Sequence, residues 1–454
     1  MAFVTLCIVA SGLRFSTTAT PQQVTFRSGV DLVAVDTQVI DRDGAPISNL
    51  GVDKFEVWIN GQPRKVVSAD LIQYPLQTPR NLIDAPVDTP GVERTDLPPV
   101  NGRVIVLAID EMSFSFQALP DVLQTVKRFL GTLAPEDIVA AFPYPFGSGR
   151  IDLTHYHNQI SVQLSRVQGM KTSDVGGMGG GDLFLSPSEI VDIASNDSSA
   201  LQSAYQRECL VSNVGAVSAA TGISRNDAQS SGNGCVDRDS GLPPNMGSQC
   251  ALRLKAQANG AVGELESAAS ESFNGMRTLL QGLKAISGPK VVVLVSAGLT
   301  TADRAGGRPD ISGIMSATGE LAAAANAMVY VMHFDGNFLN TFSANGARNT
   351  YNPCQTGLVN ASTTQPRDEQ LSAVGLERIA GQAGGEYFRI TAGNGDSFFN
   401  RVLKETSAYY VLGVQPEQID RDGRTHFIRV KTTDVKNATV RFRSQVTIPK
   451  TDGK

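Results

Sequence analysis

The sequence predicts an α/β fold: a mainly parallel sheet with helices on both faces, plus an accessory antiparallel β-domain built from the two ends of the chain. Continuous apolar runs such as Val104–Ile109 and Val291–Val295 read as strands buried on both faces. Between such runs the apolar residues recur at helical spacing, and strands alternating with helices imply βαβ units and a parallel sheet. Before residue 75 and after residue 408 the pattern changes to period-two alternation, the mark of half-buried strands.

Taken in order, Phe3–Ala10 is a short apolar run followed by small residues. It is too short to span a bilayer and suits the core of a signal peptide over residues 1–20, although no Lys or Arg precedes it. Residues 28–74 read as an N-terminal β-segment. Val30–Ile40 largely alternates, Asp41-Arg42-Asp43-Gly44 supplies a turn, Phe55–Ile59 alternates again, and Asn60-Gly61 signals a hairpin before Lys65–Tyr74 returns. Residues 75–102, rich in Pro, Thr and Asp, read as an exposed linker.

An α/β domain is expected over residues 103–408. Its first strand is followed by a helix carrying Leu119, Val122, Leu123, Val126, Phe129 and Leu130, a strand at Ile138–Phe142, a short partner at Ile151–Leu153 and a helix at 155–167. Val262, Leu265, Ala269, Phe273, Met276, Leu280 and Leu283 form one apolar helix stripe, which Ser287-Gly288-Pro289 ends. Beyond Val291–Val295 come a helix at 315–327, a strand at Met328–Phe334, a helix at Glu369–Gln382, a strand at Tyr387–Ile390 and a helix at Ser397–Ser407. The strands at 104, 138, 291, 328 and 386 are expected at the centre of one sheet. Residues 171–250, with glycines between 176 and 181, and residues 336–366 interrupt the pattern and read as insertions. A C-terminal β-segment, residues 409–448, holds strands at Tyr409–Val414, His426–Thr432 and Val440–Ile448. Each β-segment has only about three strands, so the two are expected to pack together as one β-sandwich.

Composition bounds the function. With 41% hydrophobic and 18% charged residues the chain is globular, and a net charge of -5 offers no basic field to draw in nucleic acid. Only 4 His are present, so a histidine-rich metal site is not expected. Setting Cys7 aside leaves Cys209, Cys235, Cys250 and Cys354, an even number with no C-x-x-C spacing. That pattern points to disulfides in a secreted, periplasmic or cell-envelope protein rather than to zinc or redox chemistry. Cys235–Cys250, which closes a short Gly/Pro-rich loop, is the preferred pair among the open connectivities.

Ligands of open α/β sheets sit at the carboxyl ends of the strands. The most chemical of these ends is Ile109-Asp110-Glu111-Met112-Ser113-Phe114-Ser115, where a carboxylate and two hydroxyls can present hard oxygens to Mg²⁺ or Ca²⁺. This run resembles the first strand of a von Willebrand factor A (VWA) domain, a Rossmann-like fold whose metal-ion-dependent adhesion site opens D-x-S-x-S. Leu133–Ala140, Gly288–Gly298 and Ala325–His333 resemble the family's second, fourth and fifth core strands. Val39–Ile47, Asp53–Val57, Asn60-Gly61, Ile379–Phe388 and Tyr409–Gly413 are similar to bacterial secreted VWFA-related proteins, so the resemblance spans most of residues 28–448 outside the insertions.

That resemblance implies metal ligands at Asp110, Ser113, Ser115 and the loop threonine Thr172. The chain departs from the motif at two points. Met112 and Phe114 hold the motif's serine positions, so Ser113 and Ser115 come one residue late, and Ala297 stands where the family has a second Asp. A degenerate site follows, holding Mg²⁺ or Ca²⁺ weakly or not at all, with Asp110 instead capping the next helix.

Other motifs have plainer readings. His155 and His157 would share a face only on a strand, and their segment reads as helical. Asp41-Arg42-Asp43-Gly44 and Asp420-Arg421-Asp422-Gly423 open like calcium loops, yet Val52 and Lys431 stand where the closing Glu belongs, so both read as turns. The 176–181 glycines lack the Lys-Ser/Thr of a phosphate loop, and no Ser-His-Asp or Cys-His arrangement is legible. The expectation is an exported, non-enzymatic protein that binds a protein or cell-envelope ligand and has no transmembrane span. A metal-free assembly scaffold and a hydrolase sited in the large insertion are the alternatives.

Overall fold

Alternation makes the first strands. Val33, Val35 and Val39 point inward along β1 (Val33–Ile40), as do Phe55, Val57 and Ile59 along β2 (Phe55–Ile59). Asn60 and Gly61, both at positive φ (48° and 79°), form the two-residue turn into β3 (Gln62–Gln73) and pair Ile59 with Gln62. The computed structural model describes residues 32–74, 102–145, 151–171, 183–213, 235–242, 244, 248–304, 306–335, 354, 364–390 and 395–450. The expected signal peptide, nearly all of the linker, the 176–181 glycines and Thr172 lie outside the described residues.

Strands and helices then alternate: β4 (Val104–Asp110), α1 (Leu119–Leu130), β5 (Ile138–Tyr144) and α2 (His157–Leu164). After the first insertion come α5 (Gln249–Leu283), β8 (Lys290–Ser296), α6 (Ser312–Ala324), β9 (Ala327–Phe334), α7 (Gln365–Gln382), β10 (Tyr387–Ile390) and α8 (Gly395–Glu405). Five of these strands form one parallel sheet in the order β10-β9-β8-β4-β5. The runs at 138 and 387 are therefore its edges rather than central strands, and the partner expected at 151–153 reduces to a single antiparallel bridge between Val139 and Thr154. Val106, Ala108, Val292, Leu294, Val329 and Val331 face α5, α6 and α7. Their neighbours Ile105, Leu107, Ile109, Val293, Val295 and Met332 face α1, α2 and α8. Burial on both faces is what the continuous apolar runs encode.

The described part of the large insertion is built of regular elements. It contains α3 (Pro187–Ala194), α4 (Ser198–Glu208) and the antiparallel pair β6 (Leu210–Ser212) and β7 (Cys235–Asp237). Ser186 and Glu189 close a capping box at the start of α3, with Pro187 in its first position. These elements pack on the first half of α5, a helix of 35 residues and hence about 52 Å. Leu283 leads into the start of β8, while the Ser272 hydroxyl reaches Asp110 at the far end of β4. The part of α5 before Ser272 thus runs past the carboxyl ends of the strands as about 35 Å of helix. Ile190, Val191, Ile193 and Ala204 bury against its Leu254, Ala258, Val262 and Leu265, giving a helical head with its own core.

Two disulfides hold this head. Cys209 at the end of α4 bonds Cys250 in the first turn of α5, and Cys235 bonds Cys354 from the second insertion. The preferred Cys235–Cys250 pair is therefore not formed. Cys250 is buried on the inward face of α5, against the end of α4, and β7 carries Cys235 toward the other insertion.

The chain closes with β11 (Ala408–Gln415), β12 (Thr425–Thr432), β13 (Thr439–Phe442) and β14 (Gln445–Thr447). These interleave with the N-terminal strands in one seven-stranded sheet, β13-β1-β11-β3-β2-β12-β14. Only Arg443 and Ser444 separate β13 from β14, yet these two strands lie at opposite edges. The sheet accordingly curls back on itself around Phe55, Val57, Ile59, Leu412, Val414, Ile428 and Val430. It is a single curled antiparallel sheet, not the expected sandwich of two, and the curl leaves no long open edge.

Both sheets belong to one compact unit. Tyr330 of β9 donates to Gln38 Oε1 of β1 at 2.9 Å, and Arg103 pairs with Asp137 at 2.6 Å in the same buried junction. Among the described residues no helix is long and apolar enough to cross a membrane.

Candidate functional site

Each strand of the parallel sheet ends, on the face toward α5, α6 and α7, in a polar side chain. Tyr144 of β5 is in register with Asp110 of β4, Ser296 of β8 with His333 of β9, and His333 with Arg389 of β10. Ser296 Oγ donates to Asp110 Oδ2 at 3.1 Å and joins the two halves into one row. Ser272 Oγ, from α5, donates to the same oxygen at 3.0 Å. Sequence reading singled out only Asp110 of these residues. The signal for the others was present: the last α5-facing residue of each apolar run is polar.

Asp110 is 1% exposed. Burial pushes its carboxyl up to about 6, against the pull of the Ser272 and Ser296 hydroxyls and the nearby N–H groups of Ser113 and Met112. Its Oδ1 accepts no well-formed hydrogen bond among the described residues. Asp110 does not cap the following helix, because it leans toward α5. Ser115 Oγ instead accepts the Ala118 N–H, at 3.3 Å, at the entry to α1.

The serines expected beside Asp110 are close to it but committed to the backbone. Ser113 Oγ donates to the Asp110 carbonyl at 2.8 Å and accepts the Ala297 N–H at 2.9 Å. Ala297 brings a backbone N–H where a second carboxylate would be needed. A cage for Mg²⁺ or Ca²⁺ requires about six oxygen ligands, usually with more than one carboxylate for calcium. Among the described residues no group of three His, Cys, Asp or Glu side chains is placed to hold a metal. Among the described residues, the donors around Asp110 do not fit a divalent cation.

Farther along the row, His333 is 1% exposed with Nδ1 2.6 Å from the Tyr387 hydroxyl. Burial drives its imidazole down to about 4, so it is neutral at physiological pH. Arg389 closes the row at the solvent edge, pairing with Asp335 through Nε at 2.8 Å and with Glu369 at 2.6 Å. Ser296 gives its proton to Asp110, and His333 engages Tyr387. The row is a chain of polar contacts that leaves Asp110 Oδ1 and His333 Nε2 buried without a hydrogen-bond partner among the described residues, and it lacks the nucleophile–base pairing of a Ser-His-Asp site.

The remaining motifs have structural roles. His157 opens α2 and sits 2.9 Å from the Asp137 carbonyl, whereas His155 lies outside the helix, so the two share no face. Asp41 Oδ1 accepts the N–H groups of Asp43 and Ala45, which makes its segment a turn. Asp420 takes both ends of the Arg64 guanidinium, at 2.7 and 3.0 Å, and Asp422 accepts the Arg424 N–H.

No protein-family model matches the chain, and no curated protein matches it. Among solved structures it is similar to the human COPII-coat protein Sec24c, with 8% identity and a TM-score of 0.26. The match covers 77% of this chain and 44% of that one, so the chain spans less than half the length of the structure it matches. A likeness at that level carries no argument here.

Proposed function

We propose that this chain is an exported, non-enzymatic interaction protein that engages a protein or cell-envelope ligand through its helical head, without a divalent metal. The observation that carries this reading is the position of the head. It is built on the half of α5 that passes the carboxyl ends of the parallel strands, the side on which open α/β sheets place their ligands. Two disulfides staple it, as suits an oxidising compartment. It also presents apolar side chains to solvent, with Leu252 68%, Leu242 41% and Val211 38% exposed.

The resemblance to VWA domains around Asp110 and the core strands supports binding rather than catalysis. In this reading the Ser272 and Ser296 hydroxyls hold Asp110 Oδ2 in place of an adhesion-site metal, and recognition falls to the head. Affinity capture from native envelope extract tests it, using the full chain in Mg²⁺ buffer, in EDTA, and as a Val211→Glu/Leu252→Glu variant. The same partner should come down with and without EDTA and be lost with the variant. Loss in EDTA would overturn metal independence, and retention by the variant would overturn the role of the head.

A further inference from the structure

Where the β2–β3 turn meets β12, a histidine is held between two fixed partners. His426, at the start of β12, is 5% exposed. Its Nε2 lies 2.9 Å from Asp422 Oδ1, and its Nδ1 lies 2.8 Å from Nδ2 of Asn60, the first residue of the turn. Asn60 is tied to the neighbouring residue as well: its N–H donates to the Phe427 carbonyl at 2.8 Å, and its Oδ1 accepts the Phe427 N–H at 3.0 Å.

These contacts decide where the protons are. Phe427 fixes the oxygen end of the Asn60 amide, so the end facing the ring is an NH2 group, which only donates. Nδ1 is therefore the bare, accepting nitrogen, and the one ring proton sits on Nε2 and goes to Asp422. A neutral imidazole satisfies every member of this set. An imidazolium carries a proton on both nitrogens and sets two donors face to face at Asn60. Turning the amide over repairs nothing, since its NH2 would then face the Phe427 N–H.

We propose that His426 is a pH-sensitive clip on the β2–β3 turn: the neutral ring holds Asn60 against β12, and the protonated ring releases it. The ring itself stays in place, because Nε2 donates to Asp422 in both states and the contact strengthens when the ring is charged. The other charged groups around it are already engaged. Asp420, next in reach, is taken by Arg64 at 2.7 and 3.0 Å, Glu417 lies 3.6 Å from the same guanidinium, and Arg424 lies 4.0 Å from Asp422. β14, which pairs with His426 through Val446, brings only Gln445, Val446 and Thr447. The Asn60 bond is thus present at neutral and alkaline pH and is lost as the pH falls through the range where imidazoles titrate, about 8 to 5.

Heteronuclear NMR of the full chain tests the proposal, read at the His426 ring nitrogens and through amide exchange at Phe427. Near neutral pH the ring should carry its proton on Nε2. On acidification to about pH 5, protection of the Phe427 N–H, corrected for intrinsic exchange, should fall about tenfold, the weight of one net hydrogen bond. Leu412 and Val414, buried in the same sheet, should stay protected. In Asn60→Asp, a residue this kind of turn accepts, the carboxylate takes both the Phe427 N–H and a protonated Nδ1, and the fall should vanish. A proton on Nδ1 near neutral pH, unchanged protection at Phe427, or an equal fall in Asn60→Asp would each overturn the proposal. The first two are read on the unaltered chain and stay decisive should the variant fail to fold.

Discussion

Asp110 shows how one residue is tuned by its surroundings. Its carboxyl sits near 6 in the folded chain against an ordinary value of 3.8, so the folded state holds the proton more tightly than the unfolded state. Stability from this group is full below the unfolded value and drains away as pH rises through about 6. At neutral pH the buried charge costs about 3 kcal/mol, at roughly 1.36 kcal/mol for each unit of the shift. Asp110→Asn should therefore unfold at a higher temperature than the unaltered chain near pH 7.5, and the advantage should shrink below about pH 5. Thermal unfolding across that range checks both the sign and the window. Asp110 is legible in the sequence because an acid ends a run of six apolar residues, Val104–Ile109. Ser296 shows only as the polar end of an apolar run and Ser272 not at all, since a serine in a helix stripe has no period, and only sheet register and helix packing bring both to one carboxylate.

At the scale of the element, α5 is the part that couples head to sheet. Its second half is legible from the Val262–Leu283 stripe. Its first half continues the same stripe through Cys250, Leu254, Ala258 and Ala261, but small side chains carry little hydrophobic signal, so the stripe reads only from Val262 onward. One notch fixes where α5 lies on the sheet: a methyl on Gly275 would sit 2.4 Å from the buried Tyr144 ring. Gly275→Ala should overpack this contact and destabilise the chain by about 1–3 kcal/mol, with faster amide exchange in the head, measurable by denaturant unfolding and hydrogen exchange. The head's helices α3 and α4 are too short and too polar to show a long periodic stripe, and their placement depends on the Cys209–Cys250 bond and on Asp368 accepting the Ser188 N–H.

Over the whole molecule, the alternation of buried runs and helices makes the parallel sheet readable, and period-two patterning does the same for both terminal β-segments. Their union is less readable. Alternation marks which face of a strand is inside but not whether strands form two layers or one curled sheet. That distinction depends on Arg443 and Ser444 carrying the chain from one edge to the other. Neighbours such as β1 and β11 are separated by most of the chain, so closure is a long-range property with no local signature. The resulting body has two polar ends: an amino end where the Lys290 ammonium donates to the Ala325 carbonyl, and a carboxyl end whose row of polar side chains meets the stapled head.

The claim that this carboxyl end works without a metal is the centre of the account, and calorimetric titration of the full chain with Mg²⁺, Mn²⁺ and Ca²⁺ tests it most directly. No binding tighter than about millimolar is predicted, because among the described residues no group of three His, Cys, Asp or Glu side chains is placed to hold a metal, and Ser113 and Ser115 are turned to the backbone. Micromolar affinity in the unaltered chain, abolished by Asp110→Ala, would contradict it.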